Sequence, residues 1–265
     1  SDWLVASMPS ADTVSAVWGP EVVPVDMAEV ADALARVSAE EIAATAGALV
    51  TGATDVREPS EAEISDVARV YAALDAVVRA HDLDALTVRC FDLLLSDKTT
   101  GCFALSELTD RGIVAGCEGD LVSTIGLVWA RLLTGEVPWM ANPSHLDEQS
   151  NSLVLAHCTV PRTLVDGYAL RSHFESGIGV GLQGDIPHGP VTLLRIGGTM
   201  MDELWLAEGA ITANGRAENL CRTQVSISLT RGHVSELLHA PLGNHIVLVR
   251  GHHADHLAEW WETML

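Results

Sequence analysis

The chain has 265 residues, 48% of them apolar, which is enough to bury one large core or two ordinary ones. Its 36 acidic residues against 15 basic ones, with Lys98 the only lysine, give a formal charge of -21. That balance excludes nucleic-acid binding, because a polyanion needs clustered Lys and Arg to replace its counterions.

Taken in chain order, Trp3–Ser7 and Glu21–Val25 read as strands. Asp26 with Glu29 three residues later reads as a capping box, opening a helix whose Met27, Val30, Leu34 and Val37 share a face. Ser38 with Glu41 repeats the signal. Ser60 with Glu63 starts a longer helix with Ile64, Val67, Tyr71, Leu74 and Val78 at helical spacing. Ala85–Cys90 and Ile113–Cys117 are apolar and strand-prone, joined through a helix that Gly112 can end. A helical stripe of Leu121, Ile125, Val128 and Leu132 then closes at Gly135. This most apolar stretch is cut by Arg131 and falls short of the ~18 to 20 residues of a membrane span.

Strand alternating with helix implies parallel pairing, which places Glu118 at the carboxyl end of a strand, where open α/β sheets bind ligands. After Pro138 the grammar changes. Leu153–Cys158, Val191–Ile196, Leu204–Glu208, Gln224–Thr230 and His245–Arg250 read as strands, with Gly197-Gly198 and Asn214-Gly215 as turns and a last amphipathic helix from about Ala254 to Met264. The fold class expected is therefore α/β plus β. A Rossmann-like parallel α/β domain over residues 1–135 precedes an antiparallel β-barrel-like domain over residues 136–265.

There is no phosphate-binding Gly-x-x-x-x-Gly-Lys, no Gly-x-Ser-x-Gly and no His-Glu-x-x-His, and the glycines of 177–181 read as a loop. Cys117-Glu118-Gly119-Asp120 sets two carboxylates at a strand-to-helix junction. Asp120 can cap the helix and Glu118 can be a solvated carboxylate, or Glu118 can serve as a hard-metal ligand or proton carrier. His157 ends one apolar strand and His245 begins another, each as able to be a core histidine as a ligand. His252, His253 and His256 can bind adventitious metal or form an exposed rim. Five cysteines without Cys-x-x-Cys, and a start lacking a secretory signal, point to a reducing cytoplasm.

These segments together resemble the L-fucose isomerase and L-arabinose isomerase superfamily. The resemblance runs through Val88-Arg-Cys90, Cys117-Glu-Gly-Asp120, Leu133-Thr-Gly-Glu136, His157-Cys158, His173-Phe-Glu-Ser-Gly177, Gly189-Pro-Val-Thr-Leu193, Asn244-His245 and Gly251-His252. It implies a metal-dependent aldose-ketose isomerase acting on a small sugar, a pentose or 6-deoxyhexose, through an enediol. It implies a divalent ion, commonly manganese, held between the two domains by Glu118, His157 and His245, with Glu118 also exchanging the substrate proton. The remaining ligand position, a carboxylate in those families, is Asn142 here, an amide that can ligate but cannot shuttle a proton at neutral pH. Asp120 is a candidate source of the missing charge. Family members carry an additional N-terminal α/β domain that this sequence starts too late to include, and their sites between subunits imply a homo-oligomer. The alternative expectation is a sugar- or metal-binding protein that keeps the fold without turnover.

Overall fold

The computed structural model describes residues 7–264. The strand expected at Trp3–Ser7 lies outside the described residues except for Ser7. Glu21–Val25 forms no strand. Pro24 removes a ladder donor from its middle and Val23 faces solvent.

The first half is helical, with short strands. Helices α1 (Ala11–Trp18), α2 (Met27–Arg36) and α3 (Ala39–Gly52) lead through β1 (Asp55–Val56) to the long α4 (Glu61–His81). The boxes at Ser38/Glu41 and Ser60/Glu63 close reciprocally. The one expected at Asp26 is half made: Asp26 caps Ala28 N, but the Glu29 carboxylate pairs with His81 Nε2 at 2.7 Å instead. There follow β2 (Ala85–Thr87), α5 (Cys90–Ser96), α6 (Cys102–Asp110), β3 (Val114–Gly116) and α7 (Leu121–Thr134). Strands β2 and β3 pair in parallel across the helical crossover, and they are the whole of that sheet among the described residues. No described helix is long and apolar enough to cross a membrane.

The second half contributes β4 (Trp139–Asp147), β5 (Ser152–His157), β6 (Tyr168–Arg171), β7 (Gly181–Gly184), β8 (Gly189–Gly197), β9 (Glu203–Asn214), β10 (Thr223–Arg231), α8 (Val234–His239), β11 (Ile246–Arg250) and α9 (Ala254–Met264). Six of these strands close an antiparallel barrel in the order β10-β5-β4-β11-β8-β9. Strands β6 and β7 form a separate sheet with β1, which pairs in parallel with β6. The molecule is thus mixed α/β around a closed barrel.

Alternation along the barrel strands divides two cores. Trp139, Ala141, Leu193, Ile246 and Leu248 belong to one, while Met140, Leu194, Ile196, Val247 and Val249 face the other together with α7. Both faces of β11 are covered, which explains its unbroken run Ile-Val-Leu-Val; each such side chain contributes roughly 1.5–3 kcal/mol by leaving water. Gly126 lets α7 approach the barrel, since a side chain there would press on Leu194, Val247 and Ile196. This packing fixes the start of α7 beside the residues that lead into β11.

Candidate metal centre

Strand β3 turns into α7 through four residues whose backbone is unusual. Glu118 has φ +59° and Gly119 φ +62°, two consecutive left-handed residues. A side chain in that region costs roughly 1–2 kcal/mol, and such strain gathers at functional positions. The turn is held by Gly119 N donating to Val88 O at 3.0 Å and Asp120 N donating to Cys117 O at 3.0 Å. Asp120 then caps α7, accepting from Ser123 N at 2.8 Å.

This turn brings Glu118 to His157, at the end of β5, and to His245, just before β11. One ligand atom from each lies within 4.8 Å of the others, and they are the sole such His, Cys, Asp or Glu group among the described residues. Both histidines are buried, with ring centroids 5.4 Å apart at 79°, while the Glu118 side chain keeps 21% of its surface exposed. His157 Nδ1 meets Thr159 Oγ1 at 2.7 Å, leaving Nε2 as its free nitrogen. His245 Nδ1 meets Asp120 Oδ2 at 2.8 Å. Its Nε2 is buried without a hydrogen-bond partner and faces Glu118 Oε2 at 3.6 Å, an ionic contact longer than a hydrogen bond.

The fit to a divalent ion follows from this donor set. Donors bonded to one ion at about 2.1 Å stand roughly 3 to 4 Å apart; His245 Nε2 and Glu118 Oε2, at 3.6 Å, already lie at that spacing, and no pair of the three is separated by more than 4.8 Å. One carboxylate and two imidazoles suit manganese or its neighbours better than a soft ion. The orphaned Nε2 of His245 is the feature a metal would satisfy.

Asp120 is not a substitute ligand. Its Oδ1 accepts from Ser123 N and the Ser7 hydroxyl, and its Oδ2 from Ser123 Oγ at 2.8 Å, Arg195 Nη1 at 3.1 Å and His245 Nδ1, so no lone pair remains for an ion. Asn142 sits in β4, paired with Ala156 beside His157, and its amide bonds to no described residue. His252, His253 and His256 form no metal group: His252 is exposed beside Glu208, and His253 Nε2 bonds to Arg250 O.

Charge in the centre is strongly coupled. Burial disfavours a charged His245, but the hydrogen bond to Asp120 and the charges of Glu118 and Asp120 outweigh it and raise the ring to about 9. Burial, reinforced by repulsion from His245, lowers His157 to about 3. Burial raises the Glu118 carboxyl, yet His245 and His157 leave it below its ordinary value. Asp120 is held well below its ordinary value, against its burial, by His245 and Arg195.

Three neighbours have no role assigned from the sequence, although His173 and Glu175 stand in one of the motifs that carry the resemblance. Arg195 is a lone charge in the apolar strand β8, and that contrast is its only signal. His173 and Glu175 lie on the segment between β6 and β7, and both feel the charge of Glu118. Burial and then Glu118 hold the Glu175 carboxyl above its usual value.

No family model matches the chain. It is similar to sulfoquinovose isomerases of Priestia aryabhattai and of Priestia megaterium (strain ATCC 12872 / QMB1551). Each is 29% identical over 194 residues, covering 69% of this chain and 43% of the relative. The protein of that name from Clostridium sp. (strain MSTE9) is 33% identical over 91 residues, 34% of this chain and 20% of its own. The chain therefore spans under half the length of the curated relatives it matches. The likeness is to sugar isomerases, and these are named for a sulfo-sugar rather than for fucose or arabinose.

Proposed function

We propose that this chain carries the metal centre of an aldose-ketose isomerase. Glu118, His157 and His245 would hold a divalent ion, manganese by preference, with Asn142 as a weak ligand or a group behind it. The observation that carries this reading is the convergence of one strained carboxylate and two buried imidazoles, one with an orphaned nitrogen, in a chain similar to proteins named isomerase. The ion supplies Lewis acidity toward the sugar carbonyl and the neighbouring hydroxyl.

The residues' own work follows from their chemistry. Glu118 is ionised at neutral pH and open to solvent, so it accepts a proton from the carbon beside the carbonyl and returns it to the adjacent carbon as an enediol forms and collapses. Asn142 can orient a hydroxyl but moves no proton. With Asp120 fully engaged, His173 and Glu175, which both feel the charge of Glu118, are the neighbours we assign to manage the hydroxyl proton. This reading takes 1–135 as a Rossmann-like domain and 136–265 as the barrel domain of a cytoplasmic homo-oligomer. Sulfoquinovose, the sugar in the relatives' names, is the first aldose to test, beside pentoses and 6-deoxyhexoses.

Asn142 favours a second reading, a sugar- or metal-binding protein without turnover. Metal analysis followed by solvent-deuterium exchange with added Mn2+ separates the two. Deuterium entering the carbon next to the carbonyl, and lost in Glu118→Gln, supports the isomerase. Sugar binding without exchange across the panel supports the binding protein.

A further inference from the structure

We infer that Arg195 is a positioning residue of this centre: through Asp120 and the loop 242–245 it fixes the His245 ring with Nδ1 as donor and Nε2 turned toward Glu118. This inference rests on the metal reading above only for its consequence. The arrangement itself is visible without an ion. The Arg195 side chain is 1% exposed and Asp120 and His245 are fully buried, so the three form a dry ionic chain between β8, the start of α7 and the start of β11.

Both oxygens of Asp120 already accept, Oδ1 from Ser123 N and Oδ2 from Ser123 Oγ and from the Arg195 guanidinium, which can only donate, so Asp120 faces the ring as an acceptor. His245 Nδ1 must then donate, so that whenever the ring is neutral Nε2 is its one nitrogen with a lone pair to give. Arg195 also reaches the backbone on both sides of Gly243, donating from Nε to Leu242 O at 3.3 Å and from Nη1 to His245 O at 3.5 Å. A Cβ on Gly243 would overlap the guanidinium itself, so that position must lack a side chain for the clamp to seat. A lysine would keep the charge but not the fork that contacts carboxylate and carbonyls together.

The test uses Arg195→Gln, Arg195→Lys and Gly243→Ala, each checked for folding by circular dichroism. Two quantities are read: Mn2+ affinity from the electron paramagnetic resonance of free Mn2+, and the slowly exchanging downfield Nδ1–H proton of His245 in the metal-free protein. Arg195→Gln and Gly243→Ala should each weaken Mn2+ binding about ten- to a hundredfold and erase the Nδ1–H signal, with Arg195→Lys restoring part of both. Wild-type affinity together with an intact Nδ1–H signal in a folded Arg195→Gln or Gly243→Ala overturns the inference. Should Arg195→Gln fail to fold, Gly243→Ala, which keeps the charge and displaces it, decides alone. Should the wild type bind no Mn2+, the metal reading falls while the Nδ1–H signal still judges the clamp: its loss in the variants upholds Arg195's role, and its persistence ends it.

Discussion

Binding of Mn2+ should depend on pH through a single proton. In the metal-free protein His245 is raised to about 9, so at pH 7 its Nε2 is protonated in about 99 of 100 molecules, and an ion must displace that proton. The apparent affinity at pH 7 is then about a hundredfold below its limit and gains about tenfold per pH unit up to about pH 9. His157, lowered to about 3, is already neutral and adds nothing to the slope; Glu118, below its ordinary value, is already ionised. Titrations followed by free-Mn2+ resonance between pH 6.5 and 8.5 measure the slope. Calorimetry in buffers of different ionisation enthalpy counts the proton released per ion. A flat affinity over that range, or release of two protons, would refute the assignment of charge to His245 alone.

The same ring sets a stability trend in the metal-free protein. A pKa raised from 6.5 to about 9 contributes about 3 kcal/mol that is fully present below pH 6.5 and is lost as pH rises through 9, to be checked by urea unfolding across that interval. Asn142→Asp should tighten Mn2+ binding on the order of tenfold by adding an anionic oxygen; unchanged affinity places that side chain away from the ion. Gly116→Ala should cost about 1–3 kcal/mol, because its Cβ would overlap Thr124 Oγ1, and adding Thr124→Ala should recover part of it in the same unfolding assay. Trp129→Ala should cost about 3–5 kcal/mol and collapse the near-ultraviolet dichroism of the cluster it forms with Trp18, Trp260 and Trp261 at 5.5–5.9 Å.

What could be read from the sequence was what local periodicity encodes. Helix α9 runs over the expected residues, and α4 and α7 open at the expected caps. Strand β4 was not among the expected strands, since Asn142-Pro143 interrupts any apolar run there; the fold accommodates Pro143 at a register shift against β5, past the residues that pair with β11. Strands β6 and β7 are four residues each, too short to show a period. At the centre, Glu118, His157 and His245 could be proposed from position and resemblance. The true partner of Asp120 could not, since His245 lies 125 residues away and only barrel closure brings it there. A side chain that looks like a helix cap from its neighbours is also, in space, the anchor of a histidine.

That separation bears on how the protein folds. Glu118 comes from a turn made early along the chain, His157 from mid-chain, and His245 becomes available only once β11 has closed the barrel against β4 and β8. Contacts of such long sequence separation form slowly, after their loop-closure entropy has been met. An ion that requires all three side chains can be captured only by a chain that has completed its topology. Mn2+ uptake during refolding should therefore lag behind helix formation, making the ion a timer for the last step of assembly.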